Sequence, residues 1–185
     1  VWFLDNPTPG ARDHSSRITW EISLPDGSRL TDPQHADLLD SLRRVLWSLL
    51  ADPRTGKALK PGSVAIFSIG LRTMVRWMVS NRYRSLADLD AAASNEFITD
   101  LPGLMVDAAL TPGMGYEDKA CSELEEEGTA VNAIRADDQD IDQVLSTSSV
   151  YLRTSVWAQI YRQGDALVDA GVRPMPEAPF GGKDP

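Results

Sequence analysis

The chain has one cysteine, Cys121, and two histidines, His14 and His35, in 185 residues. A single thiol excludes an internal disulfide framework and fits a reducing compartment. Two isolated histidines without any Cys/His ligand spacing give no basis for a metal site, so neither a metal nor a cofactor is expected. Long apolar runs are also missing. None approaches the roughly 20 residues needed to cross a bilayer, and no apolar h-region follows an N-terminal basic cluster. The expectation is a cytoplasmic protein with no membrane partner. No phosphate-binding GxxxxGK[ST] and no dinucleotide-binding GxGxxG follows a strand pattern. No catalytic residue is nominated either: Cys121 lacks a neighbouring base, its acid-rich surroundings disfavour the thiolate, and no carboxylates stand out as an acid and base pair.

What is present suits one packed domain. Hydrophobic residues make up 42% and charged residues 24%, both near globular averages. The net charge of −9 would argue against nucleic acid if it were evenly spread. It is not. Between Ser41 and Leu86 stand nine basic residues (Arg43, Arg44, Arg54, Lys57, Lys60, Arg72, Arg76, Arg82 and Arg84) against the one acid Asp52. Between Ala91 and Val150, thirteen acids face only Lys119 and Arg135. The acidic stretch reads as solvated surface, with a cation-binding cluster or a DNA mimic as alternatives.

Periodicity predicts a mainly α protein, a small helical bundle carrying a short N-terminal β-hairpin. Residues 1–30 form an arm and that hairpin. In "RITWEISLP", Ile18, Trp20, Ile22 and Leu24 alternate with polar residues, and "PDG" supplies a turn. Residues 31–172 form the helical body. A first helix opens at Thr31 or Asp32 with Pro33 in its first position, runs to about Asp52, and buries Leu38, Leu42, Val45, Leu46 and Leu49. A second, capped by Ser63, runs from about Val64 to Ser80 with Val64, Phe67, Leu71, Met74, Val75 and Met78 inward. Ser85 caps a turn through "LADLD", and Asp90 starts a helix that stops or bends at Pro102, with a further helical piece over "GLMVDAAL". Residues 113–140 read as an extended acidic excursion. A last helix spans about Ser146 to Ala170 and ends at Gly171, and residues 173–185, dense in proline and glycine, read as a linker. Trp47 and Trp77, at the flanks of their helices' apolar stripes, are read as packing residues.

The strongest chemical signal lies on the second helix. Opposite its apolar side stand Ser68, Arg72, Thr73, Arg76 and Ser80. Arg72 and Arg76 are one turn apart, with Ser68 one turn earlier, a spacing that can follow a DNA groove. Arginine there can clamp phosphates or reach guanine through two hydrogen bonds. Lys57 and Lys60 before the helix, Arg82 and Arg84 after it, and Arg43 and Arg44 on the first helix would extend the footprint. The competing reading is an ordinary charged helix face that docks an acidic partner, or the chain's own acidic segment.

Two stretches carry a family likeness: "LKPGSVAIFSIGLRTMVRWMVSNRYRSLADLD" at 59–90, and "YLRTSVWAQIYRQGDALVDAGVRPMPEAPFGGK" at 151–183. With the helix at 33–52, the chain resembles the SAM-like N-terminal core-binding domain of tyrosine recombinases, the phage-integrase type, over about two thirds of its length. The resemblance implies an all-helical half-clamp on double-stranded DNA, with the second helix on the major-groove side. It also implies a tetramer on synapsed DNA for the full-length protein. The nucleophilic tyrosine and its activating residues would lie in a separate C-terminal domain following this segment, so no catalytic activity is expected of this chain. "HSSR", His14 to Arg17, matches the family's His-x-x-Arg spelling but precedes the bundle and is read as coincidence. Tyr83, Tyr116, Tyr151 and Tyr161 are read as packing or surface groups. The interruption at 111–140 and the N-terminal hairpin depart from the family pattern.

Overall fold

The computed structural model describes residues 1–3, 17–51, 58–110 and 147–182, and over these the protein is mainly helical. Two short strands, β1 (Trp2–Phe3) and β2 (Arg17–Ile18), are followed by five α-helices: α1 (Ala36–Ala51), α2 (Pro61–Ser80), α3 (Ala91–Leu110), α4 (Thr147–Arg162) and α5 (Gly164–Asp169). Single 3-10 turns lie at Pro33–His35 and Leu86–Asp88, and Pro179–Gly182 makes a turn with left-handed φ at Phe180, Gly181 and Gly182. None of the described helices is long and apolar enough to cross a membrane.

The expected hairpin is not formed. β2 pairs antiparallel with β1, Trp2 opposite Ile18, while the two sides of the "PDG" turn share only the isolated bridge between Ser23 and Arg29. The turn is closed locally instead: Asp26 Oδ1 accepts bonds from the Ser28 amide at 3.0 Å and its hydroxyl at 2.6 Å, with Gly27 at a φ of 83°. Those bonds, the hydroxyl's foremost, hold the Asp26 carboxyl below its ordinary range. The alternation in 18–24 still did its work, since Ile18, Trp20, Ile22 and Leu24 are all buried. The segment packs on α2 as well as on β1, where Trp2 pairs with Ile18 and meets Trp20 edge-on, so it forms a strap across the bundle.

α1 is preceded by a 3-10 turn that starts at Pro33, with Asp32 as the extended cap residue. Every residue assigned to its inner face is buried. The chain then returns through the bond from Leu59 N to Leu49 O at 2.8 Å. α2 begins three residues earlier than its expected start, because Pro61 rather than Val64 opens it, and extended Lys60, not Ser63, is its cap residue. The fixed φ of proline suits a first helical position. α2 makes its most extensive packing against α4. Arg82 takes a left-handed φ of 63° and closes the helix, with Tyr83 N bonded to Met78 O at 2.8 Å.

Three further expectations need correction. α3 does not stop at Pro102 but continues through it to Leu110, so the separate piece over "GLMVDAAL" is its second half. Asp90 does cap α3, accepting from Ala93 N at 2.8 Å. The last helix is two, broken at Gln163 between α4 and α5. Gly171 ends α5 at a φ of 76°. The described part of the segment read as a linker, 173–182, folds back on the bundle: Met175 and Pro179 are buried, Glu177 Oε2 accepts from Ala91 N at 3.2 Å, and Phe180 N donates to Ser94 Oγ at 3.0 Å. The acidic excursion at 113–140, with Cys121 and Tyr116, lies outside the described residues, as does His14.

An aromatic cluster locks the core. The Trp77 ring stacks on Tyr83 at 5.1 Å and meets Phe97 and Trp157 edge-on at 5.4 and 5.7 Å. Phe180 closes the far side of Trp157 at 6.1 Å. Trp77 is therefore a packing residue, as expected, and its buried N–H donates to Asp100 Oδ2 at 2.9 Å. Trp47 is not: it is 63% exposed.

Candidate functional site

The residues expected to bind DNA fall into two groups according to the helix that carries or adjoins them, α2 or α1. On α2, Ser68, Arg72, Thr73 and Arg76 are all half-buried on the side away from the core. The two hydroxyls turn back onto their own helix. Ser68 Oγ donates to Val64 O at 2.8 Å and Thr73 Oγ1 to Ile69 O at 3.3 Å, which spends each donor and leaves the oxygens as acceptors. Arg76 Nε donates to Ser23 O at 3.2 Å, so this arginine fastens the N-terminal strap to α2.

Lys60 stands exposed at the start of α2, and Arg82 and Arg84 stand exposed just beyond its end. A helix of 20 residues is about 30 Å long. The exposed cations therefore bracket a span close to one turn of duplex, about 34–36 Å. Lys57 lies outside the described residues.

Arg84 and its neighbours are held by the turn that follows α2. Asp88 Oδ2 accepts from the backbone N–H groups of Arg84 at 3.0 Å and Ser85 at 2.9 Å. Burial pushes the Asp88 carboxyl up, but these bonds and the charge of Arg173 outweigh it, and the group sits below its ordinary range. Tyr83, beside Arg82, is pushed up by burial first and by its 3.2 Å hydrogen bond to Glu96 second. Its role is packing, whereas Tyr151 and Tyr161 are exposed surface groups.

Arg43 and Arg44 belong to the second group, on α1. The Arg43 guanidinium lies over the ring of Trp20, 5.7 Å from its centroid. Arg44 is exposed, pairs with Asp40 at 2.7 Å and donates through Nη1 to Ala170 O at 3.2 Å. Together with Trp2, Trp47, Ala166 and Ala170 they line a groove of about 310 Å³ between α1 and α5. Sequence reasoning missed this grouping. The signal available was Trp47 on the flank of its helix stripe, one turn beyond Arg43, but its exposure depends on how α5 packs.

Among the described residues no cluster of three His, Cys, Asp or Glu side chains is placed to hold a metal ion. His35 is instead tied into the strap, with Nε2 2.8 Å from Ser28 Oγ. No protein-family model, no curated protein and no solved structure matches the chain.

Proposed function

We propose that this chain is a duplex-DNA-binding helical domain of the integrase core-binding type. In this reading it holds a target duplex so that a catalytic domain elsewhere in the recombinase can cut it. The observation that carries the reading is on α2: Arg72 and Arg76 lie one turn apart on the side away from the core, while Val64, Phe67, Leu71, Met74 and Met78 are buried on the other. A helix anchored along its whole length presents its polar stripe rigidly, which suits contacts whose work is positioning. Lys60, Arg82 and Arg84 at the two ends would touch phosphates, and Arg72 would lie nearest the groove. Arg76 would contribute from a position already braced by the strap. Tetramer assembly on paired sites belongs to the same proposal.

The test is fluorescence anisotropy of a labelled duplex at low and moderate salt, with wild type and Arg72→Ala. A phosphate contact supplied by Arg72 predicts weaker binding at every sequence and a salt slope lower by about 1, while a base contact predicts a loss of about 1–3 kcal/mol at one site. Competition with polyglutamate of equal charge distinguishes a duplex surface from an acidic-protein surface, the main alternative. Absence of binding at low salt, or displacement of DNA by polyglutamate at equal concentration, would sink the proposal.

A further inference from the structure

We propose that the groove between α1 and α5 docks a polypeptide segment of a partner protein, one that presents a carboxylate beside a bulky apolar side chain. This does not rest on the duplex reading, whose stripe is on α2. The apolar element is Trp47, 63% exposed, with Trp2 edge-on to it at 6.5 Å between centroids. Trp2 is itself fixed, edge-on to buried Trp20 at 5.3 Å and paired through β1 with Ile18. Ala166 and Ala170 of α5 complete the apolar side of the groove. A large indole left open beside other apolar groups gains by being covered.

The cationic element is Arg43. Its Nε is shielded from water and has no hydrogen-bond acceptor, and among the described residues no carboxylate pairs with it. The guanidinium lies over the Trp20 ring at 5.7 Å, and its two terminal nitrogens can meet a carboxylate end-on with two parallel bonds. Arg44 adds a second cation, since its contact with Asp40 is the exposed one-turn kind that yields readily to a competing acceptor. The bond from Arg44 to Ala170 O ties α1 to α5, so the groove is formed before anything binds.

Charge complementarity decides between classes of occupant. The same two helices carry Asp37, Asp40, Asp165 and Asp169, all exposed. A nucleic acid, with a phosphate every few ångströms, would meet those carboxylates. A peptide bringing one carboxylate to Arg43 and one apolar side chain to Trp47 would not. Tryptophan and arginine are also the side chains on which binding energy at protein interfaces concentrates.

The test is selection from a random peptide library displayed on phage against the folded chain, followed by affinity measurement of the enriched peptides on wild type, Trp47→Ala and Arg43→Gln. Enriched peptides should share an acidic residue beside an aromatic or aliphatic one and lose about tenfold or more in affinity on each variant. Trp47 is a surface side chain, so Trp47→Ala should melt as wild type does and should bind duplex DNA unchanged. Failure to enrich any peptide, or peptides indifferent to Trp47, would overturn the proposal. So would Trp47-dependent self-association in sedimentation velocity, which would put a second copy in the groove, or Trp47-dependent binding of labelled oligothymidine.

Discussion

Gly70 on α2 faces Val156 on α4 so closely that a methyl group at position 70 would stand 2.5 Å from Val156 Cγ2 and 2.9 Å from the Leu152 carbonyl oxygen. The second contact is with backbone, which cannot rotate aside. Gly70→Ala therefore forces α2 and α4 apart along their most extensive interface. The better helix propensity of alanine returns about 1 kcal/mol, less than the cost of the forced separation. We expect a net loss of roughly 1–3 kcal/mol in urea unfolding. Adding Val156→Ala should restore only part of it, because the Leu152 carbonyl remains.

Arg82 offers a change in the opposite direction. Its φ of 63° is the left-handed region, which costs a non-glycine residue about 1–2 kcal/mol. Arg82→Gly should raise stability by roughly 0.5–1 kcal/mol once the greater freedom of glycine in the unfolded chain is set against the relief. The same change removes an exposed cation at the end of α2. If the duplex-binding proposal holds, the variant should melt higher yet bind duplex DNA with a shallower salt dependence.

Acid should weaken the turn after α2 through Asp88. The folded state holds this carboxyl below its unfolded value, so the ionised group contributes stability above the ordinary carboxylate range near pH 4. That contribution is lost as the pH falls through the lower folded value. Asp88→Ala should cost about 1 kcal/mol at pH 7, and the difference from wild type should shrink below pH 4. Urea titrations at pH 7 and pH 3 measure both; an undiminished difference at pH 3 would contradict the assignment of the two backbone bonds.

The inner faces of α1 and α2 were legible because a buried helix face leaves a period in the sequence that no distant partner can erase. The same is true of Gly171 and Asp90, whose side-chain chemistry acts within a few residues. A stop at Pro102 was a local expectation that met a non-local answer. Proline removes one hydrogen bond and crowds the preceding turn, but Phe97 and Leu101, buried just before it, anchor α3 strongly enough for the helix to continue. The strap was half legible: alternation announced which of its side chains are buried, and gave no information on what they are buried against.

The candidate surfaces divide in the same way. The amino-acid sequence by itself determined the helical periods, the uneven placement of charge and the one-turn spacing of Arg72 and Arg76, because each is a property of neighbours along the chain. Only the tertiary structure decided that Arg76 braces the strap, that Arg43 lies over Trp20, and that Trp47 stands open beside Arg44 while Trp77 is sealed in the core. Each of these depends on which distant segment packs against a helix flank, and a flank residue is equally compatible with burial and exposure until its neighbour arrives.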